Sequence, residues 1–308
     1  MSRTLRVLAA TVVVAGGLAV SGARGDIITH GAATVTMAFV DIGSAGNAAD
    51  NTGYGSVGYD YRMGTYEVSA DQWAAVLAVD SGVGDAGVGS GSQPTAATSW
   101  YEAAKFCNWL TTGNTASGVY DTSASGWGSP NAGAFTAIMD HQAAAALYGT
   151  AYFIPTQNEW YKAAYYSATG VYYDYPTGSD SVPDGIDSFG DSTFDAVFAD
   201  PFMQDQPNAV TSAGDLSPFL TMGQGGNVWE WNETRIGLDR GRRGATFNYD
   251  SSFLLATFRD SDSPENEAYD GGFRVASISI GVVPEPGSLG LLLLGLAGLA
   301  TRRKRVSR

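Results

Sequence analysis

Three segments of the chain share one signature of a helix start, and their spacing limits the folds that the chain can adopt. In each, a hydroxyl residue is followed three positions later by Gln or Glu: Ser69 with Gln72, Ser99 with Glu102, and Thr156 with Glu159. In such a capping box each of the two side chains accepts a hydrogen bond from a backbone N–H that the helix leaves free. We therefore expect helices that start at Ser69, Ser99 and Thr156.

The rest of the chain predicts short strands and long loops. Residues 61–69 and 271–280 have the composition of strands. Residues 113–150 and 167–222 are rich in Gly, Ser, Asp and Ala and show little periodicity. Loops of this length inside a compact domain are usually functional or stabilised by ions. The sequence thus predicts an α+β fold with much irregular structure.

Residues 223–233, GQGGNVWEWNE, place a carboxylate between two tryptophans. The tryptophans favour burial, whereas Glu230 needs water, a cation or a hydrogen-bond partner. Two interpretations stay open. The stretch is either a turn whose carbonyls and carboxylate converge on a metal ion, or a buried turn in which Glu230 accepts from a neighbouring amide. The stretch alone favours the second.

Residues 1–25 have the pattern of a secretory signal peptide. Arg3 and Arg6 precede an apolar run over 7–20, and the small residues at 21–23 offer a cleavage site for signal peptidase. An uncleaved membrane anchor is the alternative.

Residues 281–308 resemble a PEP-CTERM sorting tail. Pro284-Glu285-Pro286 is followed by an apolar run over 289–300 and then by a basic cluster at 302–305. The apolar run is shorter than the roughly 20 residues of a spanning helix. The resemblance implies transient membrane anchoring, processing by an exosortase, and delivery to the envelope, the cell surface or the medium. A simple tail anchor is the alternative, and it also places the body outside the cytoplasm.

The body between these ends is strongly acidic. The chain has 17 basic and 31 acidic residues, and the two ends hold eight of the basic residues but only Glu285 of the acidic ones. Residues 26–283 therefore carry nine basic and 30 acidic residues, a net charge of −21. This balance argues against nucleic acid as a partner, because phosphate binding needs a basic surface.

Cysteine and histidine are too scarce for several kinds of site. Cys107 is the one cysteine, so the chain has no internal disulfide, and its place on the apolar face of the second helix predicts a small buried side chain. The two histidines, His30 and His141, stand in loop-like or Ala-rich surroundings, which predicts ordinary surface residues. A histidine-rich metal site is excluded.

Seven segments in order resemble the formylglycine-generating enzyme, or sulfatase-modifying factor, family. They are YRMGTYEVSADQW, PTAATSWYEAAKFCNWL, YFIPTQNEWYKAAYY, YDYPTG, GGNVWEWNE, RRGATFNYD and GGFRVAS. Together they cover roughly residues 57–278, which predicts a domain over 57–280 preceded by a lead-in at 26–56. The resemblance implies a variant of the C-type lectin-like fold, with little regular secondary structure and bound calcium.

The resemblance also implies where calcium binds. Carbonyl groups of Gly226 and Val228 and the carboxylate of Glu230 match the family's ligands, and oxygen donors suit calcium. The family's remaining ligand is an Asn or Asp four residues before Asn227, and this chain has Gly223 there. A weak site, a site completed by water and an absent ion all stay open.

The other matched residues are expected to be structural. Asn227 shapes the turn, and Trp229 and Trp231 fill the core behind it. Arg259 and Arg274 are expected to act as anchors that pair with neighbouring aspartates.

The family's oxidases hold copper with two cysteines five residues apart. Aligned on Arg259, those positions are Thr246 and Ser251; aligned on RRGATF, they are Asn248 and Phe253. Neither alignment supplies a thiolate for soft copper(I), so copper is not expected and no catalytic residue is assigned.

The favoured hypothesis is therefore an exported cell-surface protein without oxidase activity, which binds an envelope glycan or protein or has a structural role in the envelope. The alternative is an enzyme of the same superfamily with altered chemistry, since fold alone does not settle function. A true formylglycine-generating oxidase is disfavoured by the missing cysteines.

Overall fold

The computed structural model describes residues 24–122, 138–185, 195–199 and 206–280, so the predicted signal peptide, up to residue 23, and the sorting tail lie outside the described residues. Within these ranges the chain forms four α-helices: α1 (Ala70–Leu77), α2 (Trp100–Thr112), α3 (His141–Tyr148) and α4 (Gln157–Tyr165).

The three predicted capping boxes begin α1, α2 and α4, and each has both of its reciprocal hydrogen bonds. The helix α3 lies in a stretch that the sequence predicts as loop. It begins with a single cap, in which the Asp140 carboxylate accepts from the Ala143 amide. One cap and an Ala-rich run give a weaker sequence signal than a capping box.

The main sheet has five strands, and each neighbouring pair is antiparallel. Its order is β1 (Arg24–His30), β2 (Ala33–Ile42), β3 (Tyr61–Gly64), β11 (Ala276–Ser279) and β4 (Thr150–Phe153). The segment 26–56, which the motif order separates as a lead-in, thus supplies β2 and most of β1. The last strand of the domain lies between β3 and β4, so both ends of the domain join one sheet.

A second sheet carries the tryptophan motif. Its order is β10 (Gly271–Gly272), β7 (Trp229–Ile236), β8 (Asp239–Arg243) and β9 (Asp260–Asp262), and β10 runs parallel to β7. The short strands β5 (Asp184–Gly185) and β6 (Asp195–Ala196) pair separately.

The main core lies between the first sheet and the helices. Along the first half of β2, Val35 and Met37 are buried while Thr34 and Thr36 are exposed, as expected for a strand with one face on the core. Ten residues of α2 are buried, and Cys107 is among them. No helix among the described residues is long and apolar enough to span a membrane.

Candidate functional site

The carboxylate of Glu230 lies at the centre of the domain and is bound by a guanidinium. Arg274 donates from Nε to one oxygen and from Nη2 to the other, both at 2.6 Å. Trp160 Nε1 donates to Glu230 as well, at 2.5 Å. Glu230 and Arg274 have no exposed surface. The tryptophan motif therefore forms a buried turn, and the partner of its carboxylate is an arginine.

Arg274 also joins the two sheets. Its Nη1 donates to the carbonyl of Gly64, at the end of β3, at 3.0 Å, and its Nη2 donates to the carbonyl of Met222 at 2.8 Å. Because Glu230 lies in β7, one side chain bridges both sheets. Its aspartate neighbour Asp270, which the sequence offered as a partner, is not in this network.

A second buried carboxyl group, that of Glu67, lies beside the ion pair. Asn227 donates from Nδ2 to Glu67 Oε1 at 2.8 Å, and Oε2 has no hydrogen-bond partner. Burial raises the pKa of Glu67 to about 8; Arg274 opposes the rise, and the charge of Glu230 adds to it. Glu67 is therefore mostly protonated at neutral pH.

The residues as arranged do not fit a calcium ion. Both Glu230 oxygens already accept from Arg274, so calcium at Glu230 would have to displace a guanidinium. A side chain at position 223 would require the carboxyl group of Glu67 to move, because a Cβ on Gly223 would lie 2.6 Å from both of its oxygens, and it would also have to adopt the positive φ of 75°. In the described part of the chain, no group of three or more His, Cys, Asp and Glu could hold a metal ion. We assign the ion no role here.

The turn before β7 is fixed by its backbone. Gly226 and Asn227 both have positive φ angles, 83° and 63°. A Cβ at Gly226 would lie 1.8 Å from the Val197 carbonyl, which itself accepts from the Asn227 amide at 2.8 Å. Glycine is therefore required at 226. Val228, Trp229 and Trp231 are all buried behind the turn.

Arg259 is exposed and contacts a tyrosine. Its Nη1 donates to the Tyr54 hydroxyl at 2.5 Å, and its guanidinium lies 5.5 Å from the centre of that ring. Asp260, the aspartate next to it, instead pairs with Arg242 at 2.6 Å. Of the two arginines expected to be anchors, Arg259 thus makes a contact at the surface, whereas Arg274 is buried and links the two sheets.

The two residues that can be aligned with the first copper-binding cysteine, Thr246 and Asn248, belong to one chain of side-chain hydrogen bonds. Thr246 donates from Oγ1 to the side-chain oxygen of Asn248. Asn248 then donates from Nδ2 to the hydroxyl of Tyr269 at 2.7 Å. Thr246 is fully buried, whereas Tyr269 is 60% exposed. The residues at the position of the first cysteine therefore hold the ring of a surface tyrosine.

The two candidates for the second cysteine position have structural surroundings. Ser251 begins a 3₁₀ turn whose first amides are capped by Asp250. Phe253 packs against Tyr249 and Phe258, with ring centres 4.8 and 4.7 Å apart. Neither position offers a soft ligand.

Tyr269 forms one wall of a groove of about 330 Å³. Residues from four separate parts of the chain line it, among them Val88, Gln93, Pro94, Gln206, Phe247 and Tyr269. Gln93 closes one end by donating to the Pro207 carbonyl at 3.2 Å. None of the described lining residues carries a charge. The sequence held no signal for this groove, because its walls come together only in the fold.

Cys107 is remote from solvent in α2. It has no exposed surface, and burial, reinforced by the charge of Glu233, raises the pKa of its thiol well above the ordinary value. A thiol that stays protonated is a poor nucleophile and a poor metal ligand.

The prediction of a surface residue is wrong for His141, which is buried between two carboxylates. Its Nδ1 lies 3.3 Å from Glu159, and its Nε2 lies 3.1 Å from Glu233. Burial lowers the pKa of His141, but the two carboxylates outweigh this effect and raise the pKa well above the ordinary value. The imidazolium thus fastens the start of α3 to α4 and β7. A pocket of about 380 Å³ opens beside it, but both ring nitrogens are engaged.

In the described residues, sheets of five, four and two strands combine with four short helices and long loops in a variant of the C-type lectin-like fold. A family model, described as "Sulfatase-modifying factor enzyme 1-like domain", matches residues 2–278. The chain belongs to this family. A second model, the PEP-CTERM protein-sorting motif, matches residues 282–305 and marks the protein for export to the cell envelope or surface. No curated protein gives a significant match.

Solved structures share the fold at low sequence identity. Treponema denticola variable protein 1 is 20% identical, with a TM-score of 0.53 over 82% of this chain and 98% of that one. A crystal structure of CarF is 18% identical, with a TM-score of 0.52 over 79% and 98%. PvdO from Pseudomonas aeruginosa is 15% identical, with a TM-score of 0.51 over 83% and 98%. These likenesses concern the fold alone.

Proposed function

We propose that this protein binds a ligand of the cell envelope through the groove beside Tyr269 and does not oxidise cysteine. The observation that carries the proposal is the chain of hydrogen bonds from Thr246 through Asn248 to Tyr269. Residues that would hold copper in an oxidase of the family here position an exposed aromatic ring. The sorting motif, which directs export, supplies the setting for an envelope ligand.

The ligand chemistry of the chain supports the loss of oxidase activity. Copper(I) prefers thiolates, and the hydroxyls of Thr246 and Ser251 are hard donors that stay protonated near neutral pH. The one cysteine, Cys107, is buried in α2 with a raised pKa. Without two thiolates in one place, the chain lacks the donor set on which oxidases of this family depend.

The lining of the groove favours an uncharged glycan as the ligand. An acidic ligand would need basic residues and a basic ligand would need carboxylates, yet the described lining has neither. It offers instead the ring of Tyr269 and the carboxamide of Gln206, together with the remaining hydrogen-bonding capacity of Gln93, whose side chain already bonds Ser90 and Pro207. Aromatic rings provide rigid apolar area, and amides and hydroxyls can bond sugar hydroxyls in both directions.

Two assays test the proposal. The purified protein is first incubated with copper(I), oxygen, reductant and a Cys-x-Pro-x-Arg peptide, and we expect no mass change at the peptide cysteine. Formation of formylglycine that Ser251→Ala abolishes would overturn the claim of lost activity.

Binding is measured by calorimetry with neutral polysaccharides such as dextran and galactan, with alginate as an acidic counterpart. We expect a neutral polymer to bind and Tyr269→Ala to abolish binding, while Leu238→Ala, a change at an exposed apolar residue outside the groove, leaves it intact. Tyr269→Phe keeps the ring but loses the bond from Asn248, so it should weaken binding less than alanine does. Equal binding by the Tyr269→Ala variant would remove the groove as the site.

A further inference from the structure

The outward face of α3 carries no charge at neutral pH. Its exposed residues are Gln142, Ala143, Ala146, Leu147 and Tyr148. Leu147 is 64% exposed, one of the most exposed large apolar side chains in the described part of the chain. In a body with 30 acidic residues, an uncharged helix face that ends in exposed Leu and Tyr differs from a solvated surface.

The end of the folded domain lies next to this face. The Ile280 amide donates to the Gly149 carbonyl at 2.9 Å, one residue after the end of α3. Ile280 is itself 48% exposed. Three apolar or amphipathic side chains, Leu147, Tyr148 and Ile280, thus come from adjoining backbone; we call them the α3 patch.

The length of the chain beyond the α3 patch limits how far the patch can lie from a membrane that holds the apolar run. Eight residues, 281–288, separate Ile280 from the apolar run at 289–300 and the basic cluster at 302–305. A chain of that length reaches at most about 29 Å, since a fully extended residue spans about 3.6 Å. When the apolar run enters a membrane, the point at which the chain leaves the domain, beside the α3 patch, is held within about that distance of the lipid surface.

We propose that the α3 patch is the surface with which the tail-anchored protein contacts the bilayer. Leu and Ile gain by leaving water, and a tyrosine suits the lipid–water interface because its ring is apolar and its hydroxyl is polar. The exposed residues of α3 from Gln142 to Tyr148 bring no carboxylate to the lipid, where charge would be costly to desolvate, and the exposed Asp140 caps the opposite end of the helix from the patch. The tether keeps the patch at a high effective concentration near the surface, so a small contact area is sufficient.

Contact at the α3 patch would determine the orientation of the anchored domain relative to the bilayer. The groove beside Tyr269 is lined by no residue of α3 and by no residue of the main sheet. Because the α3 patch and the groove share no residue, contact of the patch with the bilayer does not by itself occupy the groove. The proposal concerns orientation, and it stands whether the groove binds a glycan or another ligand.

The chain has one cysteine and it is buried, which allows selective labelling of introduced cysteines. Leu147→Cys, Ile280→Cys and the control Leu238→Cys are each labelled with an environment-sensitive fluorophore in the full chain. Leu238 is 49% exposed and lies between β7 and β8 of the second sheet. The labelled proteins are reconstituted into phosphatidylcholine vesicles that contain brominated lipid, which quenches fluorophores at the membrane.

We expect quenching at positions 147 and 280 to exceed that at 238 severalfold. Leu147→Glu introduced beside the label at 280 should reduce the quenching there. Equal quenching at all three positions would mean that the domain has no preferred orientation, and would overturn the proposal. A label at 147 that is shielded from water but not quenched by brominated lipid would show that the tail itself covers the patch, which would also overturn it.

Discussion

Replacing Glu230 by glutamine removes the charge at the centre of the fold while almost preserving the shape of the side chain. Arg274 has no exposed surface, and of its two bonds at 2.6 Å its guanidinium would keep at most one, to the amide oxygen of the glutamine, and would face an uncharged NH2 group in place of the second carboxylate oxygen. Removing one partner of a buried ion pair typically costs about 3–5 kcal/mol of folding free energy, because the other charge is left uncompensated.

The carboxyl group of Glu67, beside the ion pair, affects how much folding free energy this change costs. The charge of Glu230 is one cause of the raised pKa of Glu67, and Arg274 opposes it. In the Glu230→Gln variant Glu67 should ionise at lower pH and partly compensate Arg274. We therefore expect a loss of about 3 kcal/mol at neutral pH. For a domain of this size, in which 1 kcal/mol corresponds to about 2–4 °C, the melting temperature should fall by roughly 6–12 °C.

Urea unfolding followed by tryptophan fluorescence measures this loss. The matched control is Asp26→Asn, which breaks another arginine–carboxylate pair: Asp26 with Arg62 at 2.7 Å, with both side chains partly exposed. The Asp26–Arg62 pair is bidentate and Asp26 also accepts from Tyr152, but because solvent screens both side chains its loss should cost less than the loss of the fully buried pair. The double variant Glu230→Gln, Arg274→Met should lose less stability than the sum of the single changes. If Glu230→Gln lowers the free energy of unfolding no more than Asp26→Asn does, the buried ion pair is not the main polar support of the fold.

Three further predictions concern protons and calcium. Burial raises the folded-state pKa of Glu67 from its ordinary 4.5 to about 8, so its contribution to the free energy of unfolding is fully present below pH 4.5 and is lost as pH rises to about 8. Urea unfolding at a series of pH values should show this fall in stability, and Glu67→Gln should remove the pH dependence. Because the Glu230 carboxylate is already bonded, melting temperatures in calcium and in chelator should agree; a calcium-dependent rise that Glu230→Gln abolishes would contradict this. Burial lowers the pKa of His141, but Glu233 and Glu159 raise it well above the ordinary value, so the contribution of His141 to the free energy of unfolding is complete below about pH 6.5 and disappears above the raised folded-state pKa. His141→Gln should therefore be more destabilising at pH 6 than in strong alkali. An equal loss of stability at both pH values would count against a charged His141.

Features of this protein whose signals are local can be predicted from the sequence alone. A capping box needs residues only three positions apart, so α1, α2 and α4 could be placed from their first turns. The family and the sorting tail follow from the linear order of motifs. The lack of a thiolate near Thr246 and Ser251 follows from composition, because the chain has one cysteine.

Some elements escaped prediction because their signals are weak along the chain. The helix α3 has one capping residue and an Ala-rich body, so its composition resembles the loops around it. The hairpin of β1 and β2 lies outside the family motifs, yet it provides core residues such as Phe39. The alternation of apolar and polar residues in this hairpin does not show by itself which core its apolar face packs against.

The partners of the buried polar groups depend on tertiary packing and could not be predicted from the sequence. The sequence required Glu230 to have a partner, but Arg274 is 44 residues away and Glu67 meets Asn227 across 160 residues. The groove beside Tyr269 likewise joins segments from four parts of the chain. Burial makes a partner necessary because an unpaired polar group is costly, whereas the packing of distant segments determines which partner is within reach.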